Sequence, residues 1–222
     1  MNEFVDLMSN SAERAFQSGK IFGVVIGLVT NNEDEEKMGR VKVCFPWLSG
    51  ENESFWARLA RLMAGPDRGT FFLPEVGDEV LVAFEHGDIR CPYVLGALWN
   101  GVDKPHEDNA DGKNNLRVIR SRSGHELIFN DDDGGKKESV EIHTKAGHQI
   151  LLDDSSASEK IIIKDKTGSN SIVIDSVGNA ITIESKLQMT LKSKLINIEA
   201  GANMTIKAGG VLTVKGALVK IN

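Results

Sequence analysis

From Ile172 to Ile221 the chain repeats one short phrase: Ile172-Val173-Ile174, Ile181-Thr182-Ile183, Met189-Thr190-Leu191, Ile196-Asn197-Ile198, Met204-Thr205-Ile206, Leu212-Thr213-Val214 and Val219-Lys220-Ile221, with starts seven to nine residues apart. Apart from Val173 each triplet reads apolar, polar, apolar, the period-two signature of a short strand with one face out of water. Gly178, Gly201, Gly209, Gly210 and Gly216 fall in the gaps. Short strands and turns in constant alternation predict a β-solenoid.

The spacing also constrains how such a solenoid closes. Eight residues at about 3.3 Å each span only about 26 Å of contour, too little for one repeat to circle a core. Either three successive repeats make one coil of about 24 residues, or three chains each supply one face of a triangular prism. The first leaves roughly two coils, fewer than the three or so repeats a stacked core needs, so three interwound chains are expected. In that homotrimer the core is Ile172, Ile174, Ile181, Ile183, Met189, Leu191, Ile196, Ile198, Met204, Ile206, Leu212 and Val214. Thr182, Thr190, Asn197, Thr205, Thr213 and Lys220 face water. A looser repeat precedes it in Leu127-Ile128-Phe129, Val140-Glu141-Ile142, Ile150-Leu151-Leu152 and Ile161-Ile162-Ile163, ten to thirteen residues apart. Longer turns make wider corners, so the prism is expected to taper.

The rest of the 222 residues divides by pattern. Residues 1–19 read as an amphipathic helix with Phe4, Met8, Ala12, Ala15 and Phe16 near helical spacing, ended by Gly19. Residues 20–100 hold strand-like runs at Ile21 to Thr30, Gly39 to Pro46, Ser54 to Met63, Thr70 to Leu73, Asp78 to Glu85 and Pro92 to Trp99, the pattern of a small closed barrel of the OB type. Residues 101–115 are a polar linker and 116–222 the β-helical region. The fold class expected is mainly β: N-terminal helix, OB-fold barrel, then an intertwined triple-stranded β-helix.

A net charge of −6 argues against a nucleic-acid partner. The first 19 residues carry acids and no apolar run, so no signal peptide is read there and assembly in the cytoplasm is expected. Cys44 and Cys91 are expected to stay reduced there. His86, His106, His125, His143 and His148 make no metal spacing. Asp131-Asp132-Asp133-Gly134-Gly135 lacks the ligand alternation of a calcium loop, and Ser121, Ser123 and Ser155 lack a nucleophile elbow. Trp47, Trp56 and Trp99 read as core or trimer contacts rather than a base-stacking platform. No cofactor, metal, small-molecule substrate or catalytic residue is expected.

Several segments of the barrel region carry a family resemblance: Gly39-Arg40-Val41-Lys42-Val43, Phe45-Pro46-Trp47, Trp56-Ala57-Arg58, the run Phe72 to Asp88 that contains Pro74-Glu75-Val76-Gly77-Asp78-Glu79-Val80, and Val94-Leu95-Gly96 to Gly101. They resemble the OB-fold region of phage baseplate assembly protein V and of the VgrG spikes of type VI secretion. Ser123-Gly124-His125-Glu126-Leu127 and Lys145-Ala146-Gly147-His148-Gln149-Ile150 resemble the start of the VgrG β-prism. The resemblance implies a trimeric central spike of a contractile injection machine, driven into a target cell envelope. Full-length VgrG proteins place a large hub domain before the barrel, so this chain resembles the short form and implies a separate hub protein joined to the inner tube and baseplate. Phe4, Met8 and Phe16 are the residues expected to dock it. The blunt end at Val219, Lys220, Ile221 and Asn222 implies a capping tip protein of the PAAR type, because unpaired strand edges are otherwise a liability. A β-helical receptor-binding fibre or adhesin is the competing reading, and a carbohydrate-active or hexapeptide-repeat enzyme a third; a period near eight and the lack of clustered acids disfavour the enzyme.

Overall fold

The computed structural model describes residues 19–48 and 53–221. They fall into two compact units that divide between Asp108 and Asn109. The helix expected over residues 1–19, with Phe4, Met8 and Phe16, lies outside the described residues except for its terminal Gly19.

The first unit is a barrel. β1 (Val24–Asn31), β2 (Lys42–Cys44), β3 (Arg58–Leu59), β6 (Glu79–Phe84) and β7 (Pro92–Ala97) form one sheet in the order β2-β1-β6-β7-β3. Val41 and Ala57 exchange backbone hydrogen bonds of 3.1 and 2.7 Å, which joins the two ends of this order and closes the sheet on itself. Closure removes the exposed edges that an open five-stranded sheet would carry. β6 alternates half-buried and buried along its length, as period two requires. Its Val80, Val82 and Phe84 meet Val29, Val41, Val43, Phe45, Ala57 and Val94 in the core. Valine dominates because a small barrel is filled best by compact side chains that are already stiff on a strand.

One sequence reading changes here. No strand forms over Thr70–Leu73; instead β4 (Ala64–Gly65) and β5 (Arg68–Gly69) make a small hairpin just before it, and Phe71 and Phe72 are exposed. At Gly69, with φ of +145°, an added Cβ would lie 2.4 Å from the Met63 carbonyl oxygen, so the hairpin admits only glycine. None of the three tryptophans belongs to the buried core. Trp56 instead lies beneath the charged groups of Arg40 and Lys42, 5.6 and 5.3 Å from the ring centre.

The second unit opens with Asn109–Asn115, which form no strand, and continues as seven strands: β8 (Leu116–Arg120), β9 (Glu126–Asn130), β10 (Ser139–His143), β11 (Gln149–Asp153), β12 (Lys160–Lys164), β13 (Asn170–Asp175) and β14 (Ala180–Ser185). Each pairs antiparallel with the next. Within one chain this is an open meander rather than a closed coil. From Lys186 to Ile221 no strand or helix forms, and every residue is exposed. The first two regular triplets lie within β13 and β14, but the five from Met189 to Ile221 have no in-chain ladder. A strand is defined by the neighbour it bonds, and these triplets find none in their own chain.

Candidate functional site: an open apolar sheet face and an unpaired tail

Strands β8 to β14 are in straight register, so residues directly opposite share a face. One column runs Ile119, Leu127, Ile142, Ile150, Ile163, Ile172, Ile183. The next on the same face runs Arg117, Phe129, Val140, Leu152, Ile161, Ile174, Ile181. Arg117 is thus the one charged member of two otherwise aliphatic and aromatic columns. Seven strands at about 4.8 Å spacing make this stripe roughly 30 Å long. Nothing in the described chain covers it: Ile163 is 44 % exposed, Ile183 58 % and Ile181 70 %.

The opposite face is built differently. Its central column, Val118, Ile128, Glu141, Leu151, Ile162, Val173 and Thr182, lies between two columns dominated by Asn, Asp, Lys, Arg, Glu, Gln, His and Ser. Those flanking chains lie over the aliphatic members and keep them half-buried. One face is therefore dressed for water and the other is not. Soluble proteins rarely leave a contiguous apolar surface of this extent without a partner.

Turns along one sheet edge are tied to each other. In Ser121–His125 and Thr144–His148 the leading hydroxyl accepts a hydrogen bond from the histidine backbone N–H at 3.0 Å in both. Nδ1 of His125 then accepts from the Lys145 N–H, and Nδ1 of His148 from the Lys166 N–H, both at 3.3 Å. These histidines, read from sequence as surface or turn residues, stitch each turn to the next. The following turn is held by Asp165, whose carboxylate accepts from the Asn170 side chain at 2.8 Å and from Thr167 at 2.9 Å. The Asn170 bond, with help from Thr167, lowers the Asp165 pKa to about 2. On the polar face Glu141 bonds His143 and accepts from Gln149 at 2.9 Å.

In the barrel unit the most organised polar group is Asp34. Its carboxylate takes the Arg40 guanidinium in two bonds of 2.9 and 2.7 Å and the Met38 N–H at 3.0 Å, with the side chain 3 % exposed. The arginine holds the Asp34 carboxyl well below the usual range. Spacing alone did not single out this clamp, since an acid and a base six residues apart in a loop carry no periodic signal. Cys44 and Cys91 are free thiols. Among the described residues no three His, Cys, Asp or Glu side chains cluster as metal ligands, and no helix is long and apolar enough to cross a membrane.

In chain order, then, a closed five-stranded barrel is followed by a seven-stranded antiparallel meander. Residues 25–99 match the family of the type VI secretion system/phage-baseplate injector OB domain. The chain is 33 % identical over 128 residues to the type VI secretion system spike protein VgrG3 of Vibrio cholerae, which covers 52 % of this chain and 12 % of that protein. It is 32 % identical over 114 residues to spike protein VgrG1a of Pseudomonas aeruginosa, covering 49 % and 18 %, and 34 % identical over 106 residues to VgrG1c of the same organism, covering 46 % and 15 %. The chain is thus VgrG-like, and its match spans less than a fifth of the length of these relatives.

Of the residues expected to act, the structure brings Ile172, Ile174, Ile181 and Ile183 onto the apolar face of the meander. Met189, Leu191, Ile196, Ile198, Met204, Ile206, Leu212 and Val214 lie in the unpaired tail, as do Val219, Lys220 and Ile221. Asn222 lies outside the described residues.

Proposed function

We propose that this chain is the central spike of a contractile injection machine, and that its working form is a homotrimer in which three meanders press their apolar faces together and three tails wind into one β-helix. The observation that carries the reading is the pairing of an uncovered apolar face over β8 to β14 with a tail whose sequence alternates apolar and polar but forms no strand ladder among the described residues. A second and third copy supply both missing partners at once. Burying an aliphatic side chain contributes roughly 1.5 to 3 kcal/mol, so a full face per chain outweighs the entropy of association by a wide margin. The product is a rod whose strands are bonded along its length, and such a rod resists bending. Its role is mechanical: it transmits the push of the contracting sheath to the target envelope and performs no catalytic step. The similarity to spike proteins supports this role independently of the geometry.

Light scattering on the purified full chain tests the reading. A species of three times 24.2 kDa that persists in mild denaturant is expected; a stable monomer overturns it.

The barrel unit is proposed to sit beneath a hub protein, through it the inner tube and baseplate, with Phe4, Met8 and Phe16 as docking residues. Deleting residues 1–18 is expected to leave the trimer mass unchanged and to reduce hub binding at least tenfold. Undiminished hub binding removes those three residues from the interface. The spike is proposed to assemble in the cytoplasm and to reach the target envelope on contraction, with a PAAR-type protein on its tip.

A further inference from the structure

In the proposed trimer the first apolar column of the meander carries little information about alignment. Ile142, Ile150, Ile163, Ile172 and Ile183 present the same side chain on successive strands about 4.8 Å apart. Three such faces shifted along one another by two strands would meet nearly the same surface. Register is specified only where a position differs from its neighbours.

The one charged position in the two columns is Arg117. It stands opposite Phe129 at the β8 end of the second column. Its guanidinium donates to the carboxylate of Asp131 and, at 3.4 Å, to the Asn114 carbonyl. Asp131 follows Phe129 by two residues, and its N–H bonds the Asn115 carbonyl at 2.8 Å, so the ladder runs on and the acid shares the arginine's face. Both side chains are more than half exposed in the single chain.

We propose that Arg117 and Asp131 set the axial register of the trimer: three copies of the pair form a ring of alternating charge that closes the β8 end of the apolar core. This rests on the trimer proposed above. In the correct alignment each guanidinium finds its own and its neighbour's carboxylate. In a slipped alignment it keeps only its own Asp131 and the pair is pressed against Val140 and Ile142, where an ion pair taken out of water without further partners is disfavoured. The pair therefore selects one alignment without adding cohesion, as a single polar residue does in the core of a coiled coil.

The experiment compares full-length wild type, R117D, R117D/D131R and R117L/D131L, each refolded from denaturant and measured by light scattering and native electrophoresis. R117D sets six acids around one axis and is expected to lose the trimer mass; the exchanged pair R117D/D131R is expected to regain it. R117L/D131L is expected to keep the trimer mass but to run as several bands where wild type runs as one. The inference is overturned if R117D is a trimer with the unfolding transition of the wild type, if the exchange restores nothing, or if the leucine pair gives a single band or no trimer. A monomeric wild type sinks the trimer itself, a result distinct from all of these.

Discussion

Ile163→Asp is expected to leave the chain unable to form trimers at micromolar concentration, while Thr182→Asp, on the water-facing side of the same sheet, leaves the trimer mass unchanged. Ile163 lies near the middle of its column, opposite Ile150 on one side and Ile172 on the other. Within one chain the new carboxylate remains partly solvated, because this face is open, so the meander itself still folds. In the trimer three carboxylates gather near one axis with no cation among their in-register neighbours. Burying each without a partner costs about 3 kcal/mol or more, and mutual repulsion adds to it. Circular dichroism separates this outcome from simple misfolding: retained β signal with a monomer mass places the defect in assembly. A trimer of normal stability for Ile163→Asp would mean that the apolar face is covered by something other than its own copies.

How much of this was legible beforehand depends on what each element pairs with. The central triplets of β9 to β14 are readable because alternation is a local property, and Val140-Glu141-Ile142 or Ile181-Thr182-Ile183 states it within three residues. β8 was missed as a strand: Leu116 to Arg120 alternates with arginine at one of its two apolar-phase positions, Arg117, and that interruption hides the period. The antiparallel meander was not distinguishable from a coil, since triplet spacing fixes a strand's length and says nothing about which neighbour bonds it. Thr70–Leu73 was read as a strand from its apolar content, yet Phe71 and Phe72 sit outside the barrel after a hairpin that Gly69 makes possible. The Asp34–Arg40 clamp and the His125 and His148 ties depend on contacts between loops, which no periodicity encodes. The barrel core was legible in outline, because Val80, Val82 and Phe84 alternate with residues of the other face in a strand with no turn residues.

Removing Val219–Asn222 is expected to abolish binding of a PAAR-type tip protein while the trimer mass and the β signal stay as they are. Val219 is 49 % exposed and Ile221 90 %, and in the proposed rod they form the layer that stacks on Leu212 to Val214. A stacked β-helix satisfies each strand by the one beneath it, so the terminal layer alone offers unpaired backbone groups and apolar side chains to whatever follows. That makes the terminal layer adhesive in a way that earlier layers are not. Cutting back by one repeat exposes Leu212-Thr213-Val214 in place of Val219-Lys220-Ile221. The new end is again an apolar, polar, apolar layer, but Thr213 replaces the charged Lys220 at its outward position and Leu212 replaces the shorter Val219. If tip binding needs only an open strand edge, the shortened rod still binds. If it needs the shape and charge of the Val219-Lys220-Ile221 layer, binding is lost. The second outcome is the one expected, because three Lys220 side chains spaced around the rim would give a tip protein a fixed rotational seat that three threonines do not. A two-point comparison settles which holds: Lys220→Thr in the otherwise unchanged chain should weaken tip binding about tenfold, in line with loss of charge-assisted contacts worth about 1.5 kcal/mol, whereas equal binding by the Lys220→Thr and unaltered chains would mean that an open strand edge is enough.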